Sequence, residues 1–207
     1  MAATGKKLGV VLLVCGALFG AHVSSASAGL LSGACGDQES VSPFPLDPFT
    51  YFMAPNGDFE AGTSDWTTTD GASDSAPNEP LHVGGSGDSS SLYLPNGASA
   101  TSSPVCVGLD GPTIRFFAKN NGLPLFSNLK VEAIYKTALG LKVATPVVAL
   151  YLPVGNGWLL SLPALSLGNV AGILSLDGLT TDIQFRFTAR GGSWRLDDVY
   201  VDPWRCI

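Results

Sequence analysis

The sequence has no lysine or arginine between Leu8 and Ile114, and this absence limits the classes of partner that the chain can bind. Eleven acidic residues fall in that interval, whereas the chain beyond Ile114 carries nine basic and six acidic residues. Binding to nucleic acid needs a basic face that neutralises phosphates. Nucleic acid is therefore a poor candidate partner, and the complementary charges of the two halves indicate electrostatic balance within one folded unit.

Long apolar runs are absent after the N-terminus, because one proline and two glycines interrupt the leucine-rich residues 158–176. A membrane-spanning helix needs about 20 consecutive apolar residues. At the N-terminus, two lysines precede an apolar run from Leu8 to Val23 and a small-residue stretch that ends at Ala28, which is typical of a signal peptide. We expect residues 1–28 to be cleaved, the protein to be secreted to the extracellular space or cell surface, and no membrane span to remain after processing.

Cysteine is scarce, and only Cys35, Cys106 and Cys206 follow the predicted cleavage site. No two of these three lie within a short ligand spacing, which argues against a zinc site built from thiolates. In an exported protein a disulfide is the expected state. We predict a disulfide between Cys35 and Cys106, although the odd count leaves pairing of Cys206 with either of them open.

Histidine is nearly absent, since His82 is the only one beyond the predicted signal peptide. The Gly-Asp-Ser segment at residues 87–89 is similar to the nucleophile motif of one lipase class, but that mechanism needs a histidine base near the C-terminus. Asp197 and Asp198 are neighbours on a predicted strand and would point to opposite faces, unlike the carboxylate pair of a glycosidase. The sequence therefore predicts no catalytic residues, and we expect a protein that is not an enzyme.

Turn signals made of Asn-Gly, Asp-Gly and Gly-Gly pairs separate short apolar stretches, a spacing typical of a β-sandwich or barrel. We predict an extended, proline-rich lead-in at residues 29–48 and one all-β domain at residues 49–207, with a short peripheral helix left open at residues 169–176.

The apolar residues of the last strand change face at Asp197–Asp198, which predicts a β-bulge with a carboxylate and free carbonyls that could hold a hard cation. Predicted strands cover residues 92–94, 113–119, 129–136, 147–152, 181–189 and 193–201.

Two motifs, NGDFE at residues 56–60 and WRLDDV at residues 194–199, together resemble the opening and closing strands of jelly-roll carbohydrate-binding modules and related galactose-binding-like domains. The resemblance implies a jelly-roll β-sandwich of antiparallel strands whose first and last strands are neighbours. It also implies a structural calcium ion held by Asp58, Glu60 and Asp197, since calcium prefers oxygen ligands. The alternative is that these carboxylates bind only loop groups or water. No other cofactor is expected.

The chain beyond residue 28 also resembles an uncharacterised family of secreted actinobacterial proteins. No activity is established for that family, so this resemblance implies a fold and a secreted location but no catalytic residues. The matching segments are residues 35–36, 57–60, 78–80, 91–95, 106–107, 115–118 and 197–203.

Aromatic residues outside the predicted core are candidate sugar platforms, because a ring face stacks on a pyranose while polar neighbours bond its hydroxyls. We predict that Trp66, Tyr93 and Trp158 bind ligand, and that Trp194 and Phe185 pack in the core. The leading function is a secreted, non-catalytic module that binds an extracellular glycan or cell-envelope polysaccharide. The alternative is a structural or protein-binding component of the cell surface with no sugar specificity.

Overall fold

The computed structural model describes residues 35, 38–44, 47–108, 113–137, 139–147, 156–162, 164–165 and 180–206. Over these residues the chain is a jelly-roll β-sandwich of two antiparallel sheets, as the sequence predicts. The described residues contain no helix long and apolar enough to cross a membrane. In chain order the strands are β1 (Phe49–Met53), β2 (Trp66–Thr68), β3 (Ser73–Ser75), β4 (Ser91–Leu94), β5 (Ser99–Ser102), β6 (Val105–Gly108), β7 (Thr113–Asn120), β8 (Asn128–Lys136), β9 (Lys142–Pro146), β10 (Trp158–Leu160), β11 (Ala164–Leu165), β12 (Thr180–Arg190) and β13 (Trp194–Cys206).

Strand formation follows the alternation of apolar and polar residues along the chain. In β12, Ile183, Phe185 and Phe187 are completely buried, whereas the polar residues between them are partly exposed. The predicted helix at residues 169–176 and most of the strand predicted at residues 147–152 lie outside the described residues. The structure confirms the strands predicted at residues 92–94, 113–119, 129–136, 181–189 and 193–201.

The strands form two sheets that pack face to face. The seven-stranded sheet has the order β10-β7-β13-β4-β3, with β1 also pairing to β13 and β11 to β7. The six-stranded sheet has the order β2-β5-β12-β8-β9, with β6 also pairing to β12. The first and last strands, β1 and β13, are antiparallel neighbours, with Phe49 opposite Cys206 and Met53 opposite Tyr200. This is the neighbouring pair that the resemblance to carbohydrate-binding modules implies.

The core lies between the two sheets and is built from the inward-facing residues of both. Trp194, Phe116, Phe185 and Phe187 are completely buried there, so the predicted core positions of Trp194 and Phe185 are confirmed. The rings of Phe116 and Phe187 meet edge to face with centroids 5.1 Å apart. The indole N–H of Trp194 donates to Ser127 Oγ at 2.8 Å, which satisfies the one polar atom of that side chain.

A β-bulge interrupts β13, as predicted. The pairing of β13 with β7 shifts register directly after Asp197, and Asp198 takes a left-handed conformation with φ of 50°. The extra residue returns Val199 and Val201 to the core, where both are completely buried. A regular pleat would turn both valines to the outer face of the sheet.

The lead-in before β1 packs against the sandwich. The predicted disulfide between Cys35 and Cys106 is confirmed, and it fixes the lead-in to β6. Val41 exchanges two main-chain hydrogen bonds of 2.7 Å with Tyr51 of β1. The described part of the predicted lead-in is therefore joined to both sheets. The side chain of Cys206 lies outside the described part of the chain.

Phe44 and Arg115 hold the end of the lead-in on the outer face of the seven-stranded sheet. Phe44 is 5 % exposed and packs in a small cluster with Tyr51, Phe117 and Tyr200. The guanidinium of Arg115 forms an ion pair with Asp47 and lies over the Phe44 ring, with Cζ 4.5 Å from the ring centre. This small cluster covers the end of the face on which β1 pairs with β13.

Candidate functional site

Acidic side chains surround the bulge in β13. Glu79, Asp197 and Asp198 are completely buried. Both carboxylate oxygens of Asp198 and the Oδ2 atom of Asp88 are also buried, and no donor among the described residues forms a hydrogen bond to them. A buried carboxylate without a donor is costly unless it is protonated or paired with a positive charge.

Burial and mutual repulsion raise the pKa values in this acidic cluster. Burial is the main cause that raises the pKa of Asp197 to about 9, followed by repulsion from Asp198. The pKa of Asp198 is raised to about 8, first by burial and then by the charge of Glu79. Burial also raises the pKa of Asp88. The cluster therefore favours bound protons or a bound cation at neutral pH.

Gly84 lies against two of these carboxylates. A Cβ atom on this glycine would stand 2.6 Å from Asp88 Oδ2 and 2.9 Å from Asp198 Oδ1, so two oxygens without donors line one small space. Within the described part of the chain, no three Asp, Glu, His or Cys side chains are grouped to hold a metal ion. The two carboxylates nevertheless fit calcium, which completes its coordination with main-chain carbonyls and water.

Asp58, Glu60 and Asp197, the predicted calcium ligands, lie around this space and already accept hydrogen bonds. Asp197 Oδ2 accepts the amide N–H of Glu79 at 3.0 Å, and its Oδ1 accepts the amide N–H of Asp198 at 3.0 Å. Asp58 Oδ1 accepts the amide N–H of Glu60 at 3.3 Å. Their roles as ligands stay predictions, and the buried carboxylate oxygens without donors among the described residues belong to Asp88 and Asp198.

Glu60 holds the loop that leads into β4. Its Oε1 accepts the amide N–H groups of Ser89 and Ser90 at 2.8 and 2.6 Å. Burial raises the pKa of Glu60, but these bonds outweigh burial and keep the pKa below its ordinary value. The Ser89 hydroxyl also donates to Glu60 Oε2 at 3.2 Å, while His82 Nδ1 lies 3.1 Å from the carbonyl oxygen of Asp88. In the described residues, no hydrogen bond joins Ser89 to His82, so the lipase-like segment lacks the contact that activates a serine.

A row of four side chains crosses the outer face of the seven-stranded sheet. Trp158 on β10 lies opposite Lys119 on β7, and Lys119 lies opposite Arg195 on β13. Arg195 in turn lies opposite Tyr93 on β4. All four side chains are partly exposed, whereas the adjacent residues on β4, β7 and β13 are completely buried. Because directly opposed residues share a face, Trp158, Lys119, Arg195 and Tyr93 form one outward-facing row, which we call the ring–cation row.

Arg195 is fixed within the ring–cation row. Its Cζ lies 5.6 Å from the centre of the Tyr93 ring. Its Nη1 donates to the carbonyl oxygen and Oγ of Ser75 at 3.2 and 2.8 Å, and to Oγ of Ser91 at 3.1 Å. These contacts fix the position of the guanidinium next to an aromatic ring.

Trp66 lies elsewhere, and its predicted role as a sugar platform is corrected by the structure. The side chain is 6 % exposed and packs between Phe59 and Phe187, with ring centroids 5.0 and 6.0 Å away. Its indole N–H donates to the carbonyl oxygens of Pro55 and Asn56 at 3.1 and 3.0 Å. The ring closes the core beside the NGDFE segment, so neither of its faces is free for a ligand.

The outer face of the six-stranded sheet offers a second surface. Its cations are neutralised in part, because Glu132 pairs with both Lys130 and Arg186. A cavity of about 410 Å³ on this face has no aromatic residue in its lining, which consists of Thr67, Thr101, Ile134, Lys142, Val143, Ala144, Gln184 and Arg186. This cavity therefore offers no ring on which a sugar could stack.

Sequence reasoning did not single out Lys119, Arg195, Glu79 or Asp88 as site residues. A signal for Arg195 exists, because it stands between the apolar Trp194 and Leu196 and so must face outward in a regular strand. The register that aligns Arg195 with Lys119 depends on pairing between strands that are distant in sequence. Local sequence patterns do not predict such pairing. Glu79 and Asp88 reach the bulge through the chain between β3 and β4, and nothing in their local sequence marks this.

The chain matches no protein-family model and no curated protein sequence. Among solved structures, it resembles the N-terminal CBM22-1–CBM22-2 tandem domain of Paenibacillus barcinonensis Xyn10C, with a TM-score of 0.51 and 13 % identity over 77 % of this chain and 46 % of that chain. The chain shares the jelly-roll fold of that structure. The CBM22-1 xylan-binding domain of the same protein aligns with a TM-score of 0.49 and 14 % identity over 70 % of this chain and 90 % of that chain. The C-terminal family 22 carbohydrate-binding module of Clostridium thermocellum Xyn10B aligns with a TM-score of 0.45 and 13 % identity over 79 % of this chain and 99 % of that chain.

Proposed function

We propose that this protein is a secreted, non-catalytic module that binds an extracellular or cell-envelope glycan through the ring–cation row. The observation that carries the proposal is the placement of Trp158 and Tyr93 on one outward face, in one register row, with two cations between them. The jelly-roll fold agrees with this function, although a fold alone does not determine a function.

The chemistry of the row suits a sugar chain. Trp158 and Tyr93 are separated by three strand spacings, or about 14 Å, which is the reach of a short oligosaccharide. Aromatic rings give apolar contact to pyranose faces, while hydroxyls of the sugar can accept hydrogen bonds from Lys119 and Arg195. Because the strands fix all four backbone positions, binding of a sugar chain would cost little conformational entropy in the protein backbone.

Affinity electrophoresis of the secreted protein in gels that contain soluble neutral and acidic polysaccharides tests the proposal. We expect retardation by at least one polymer and a loss of affinity of about tenfold in Trp158→Ala and in Tyr93→Ala. Phe126→Ala is the matched control, because this ring is 73 % exposed in the loop between β7 and β8 and is not a member of the row. No retardation by any polymer, or equal behaviour of Trp158→Ala and Phe126→Ala, would contradict the proposal.

We also propose calcium as a structural cofactor at the acidic cluster, with Asp88 and Asp198 as ligands. The support is the pair of donor-free oxygens at Gly84 and the complete burial of Asp198. When bound, the ion would neutralise buried negative charge and connect the chain between β3 and β4 to the bulge in β13. Its role is to stabilise the fold, since the cluster and the ring–cation row are separate sets of residues.

A second candidate function is a protein-binding component of the cell surface with no sugar specificity. It is favoured by the loop between β7 and β8, where Leu123, Leu125 and Phe126 are 68 %, 88 % and 73 % exposed. Apolar side chains grouped in one exposed loop are typical of a contact surface. Crosslinking at the cell envelope that recovers a partner with the wild type but not with Leu125→Asp would favour this function over glycan binding.

A further inference from the structure

We propose that Lys119 and Arg195 make the ring–cation row selective for a carboxylate-bearing glycan, such as a polymer of uronic acids. This inference rests on the proposed glycan-binding function and specifies its ligand class. It follows from three properties of the row: the two cationic residues are directly opposed on β7 and β13, neither has a carboxylate partner within the described residues, and an aromatic residue stands at each end.

The adjacency follows from strand register. Lys119 and Arg195 occupy directly opposed positions of β7 and β13, the two central strands of this part of the sheet. Opposed residues of an antiparallel pair have Cβ atoms about 5 Å apart. The two side chains therefore start from neighbouring positions, although the Arg195 guanidinium extends over β4 to Ser75 of β3. An anion within reach of both charged groups would be attracted by each of them.

Neither cation is neutralised within the described residues. The ion pairs there join Arg115 to Asp47, and Lys130 and Arg186 to Glu132, so Lys119 and Arg195 are in none of them. The hydrogen bonds of Arg195 go to oxygens of serines, and they are made by Nη1.

The nearest acid along β13 is also unavailable to the pair. Asp197 follows Arg195 by two residues, but it is completely buried and accepts the amide N–H groups of Glu79 and Asp198. Within the described part of the chain, Lys119 and Arg195 are therefore two cations without an acidic partner, on a chain of net charge −6.

The geometry favours a carboxylate over a neutral hydroxyl. Guanidinium presents its N–H groups as a planar fork that matches a carboxylate, and the contacts of Arg195 with Tyr93, Ser75 and Ser91 fix that fork before binding. Lys119 adds a point charge on the neighbouring strand. A sugar chain stacked on Trp158 and Tyr93 would bring a carboxylate of an intervening residue above both cations.

The decisive experiment compares polygalacturonate with its fully methyl-esterified form, which keeps the backbone and removes the charge. Binding of the secreted protein to each polymer is measured by affinity electrophoresis, at low and at high salt. The variants are Lys119→Gln, Arg195→Lys and Trp158→Ala. The matched control is Lys136→Gln, which removes an exposed lysine from β8 in the other sheet. A parallel measurement with polyglycerol phosphate tests whether the recognised anion is a carboxylate or a phosphate.

We expect the protein to bind polygalacturonate more tightly than the ester, with a difference that shrinks at high salt. Lys119→Gln should lower affinity for the acid form about tenfold and affinity for the ester much less, because only the acid form loses a hydrogen bond between two charged groups. Arg195→Lys should also weaken binding to the acid form, since lysine lacks the fork. Lys136→Gln should behave as the wild type.

Other outcomes would overturn the inference. If the protein bound both polymers equally and Trp158→Ala abolished this binding, the glycan-binding function would stand. Selectivity for a carboxylate would be refuted. Tighter binding to polyglycerol phosphate than to polygalacturonate would assign the site to phosphate. A larger loss in Lys136→Gln than in Lys119→Gln would move the site to the six-stranded sheet. Binding to neither polygalacturonate nor its ester would refute this inference, whereas the proposed function would be refuted only if no polysaccharide of the wider neutral and acidic set retarded the protein.

Discussion

Asp88 and Asp198 each direct a carboxylate oxygen to the same point beside Gly84. These oxygens lie 2.6 and 2.9 Å from the position that a Cβ atom of residue 84 would occupy. The two aspartates come from distant parts of the sequence, and the bulge in β13 is what brings Asp198 to this point. The absence of a side chain at Gly84 therefore keeps open a space that a cation could share with both carboxylates.

Gly84→Ala is expected to abolish the thermal stabilisation that calcium gives to the wild type. The added methyl group would displace both carboxylate oxygens from their shared space, because contacts below 3 Å are not tolerated between such atoms. Differential scanning fluorimetry with calcium and with a chelator measures the effect. Gly87→Ala is the control, since a Cβ atom there meets nothing within 4 Å. An undiminished calcium response in Gly84→Ala would place the ion elsewhere.

Asp198→Asn is expected to change stability in opposite directions with and without calcium. In chelator at pH 9, above the pKa of about 8 of Asp198, the substitution removes a buried charge that has no donor, so the free energy of unfolding should rise by about 1 kcal/mol or more. In calcium at 100 times the Kd, the wild type should gain about 2.7 kcal/mol, most of which the variant should lose. Asp70→Asn, an exposed aspartate with φ of 54°, provides a control with the same substitution in a similar backbone conformation. Denaturant unfolding checks both signs.

The stability of the calcium-free protein should fall as pH rises from about 5 to 8. The pKa values of Asp197 and Asp198 are raised to about 9 and about 8 in the fold, above the value of about 3.9 for an unfolded aspartate. The native state then binds more protons than the unfolded state. The stabilising contribution of these two protonated groups is complete below pH about 4 and is lost as pH rises toward 8 to 9. The slope should reach up to about 1.4 kcal/mol per pH unit for each group.

Calcium should remove this pH dependence, because ion binding stabilises the ionised carboxylates and becomes tighter at higher pH. Urea unfolding at pH 5, 6, 7 and 8, with chelator and with calcium, gives the two curves. Parallel curves would show that the ion does not bind at the buried aspartates.

Trp66→Ala should cost about 3–5 kcal/mol of stability, whereas Trp158→Ala should cost far less. Trp66 fills the core between Phe59 and Phe187, so its removal leaves a cavity. Trp158 is partly exposed on the outer face. Chemical denaturation of the two variants measures the difference. Similar losses for both would mean that Trp158 is a core residue and not a surface platform.

Removing the disulfide should destabilise the fold by about 4 kcal/mol, because the bond closes a loop with a sequence separation of 71 residues. The double variant Cys35→Ala and Cys106→Ala tests this in denaturant. Cys206→Ala in the otherwise unchanged protein provides the comparison. A loss below about 1 kcal/mol in the double variant would mean that the lead-in holds its place without the covalent bond.

Local patterns were enough to predict the long strands and the bulge. The alternation in β12 and the change of face after Leu196 are properties of neighbouring residues, so a single sequence contains them. Eight short strands were not predicted, since two to five residues carry too little alternation and form strands only through pairing with distant partners. They are β1, β2, β3, β5, β6, β9, β10 and β11.

Site geometry was predictable to a smaller extent. Tyr93 and Trp158 were selected as exposed rings, and their common face is consistent with that selection, but Trp66 was placed outside when it belongs to the core. Burial of a tryptophan at the start of a short strand depends on which residues of distant strands surround it. The pairing of Cys35 with Cys106 was favoured from the position of each cysteine, while the approach of Asp88 to Asp198 required the folded loop.

The disulfide also determines how mechanical force would pass through the molecule. Phe49 and Cys206 are opposed at one end of the β1–β13 pair, so a pull on these two ends would open that pair one hydrogen bond at a time. A load applied before Cys35 instead enters at Cys106 on β6, in the six-stranded sheet, and leaves through β13 in the other sheet. In the oxidised protein, the force would therefore be carried across both sheets and the core between them. In the reduced protein, the first strand β1 would separate from β13 by unzipping.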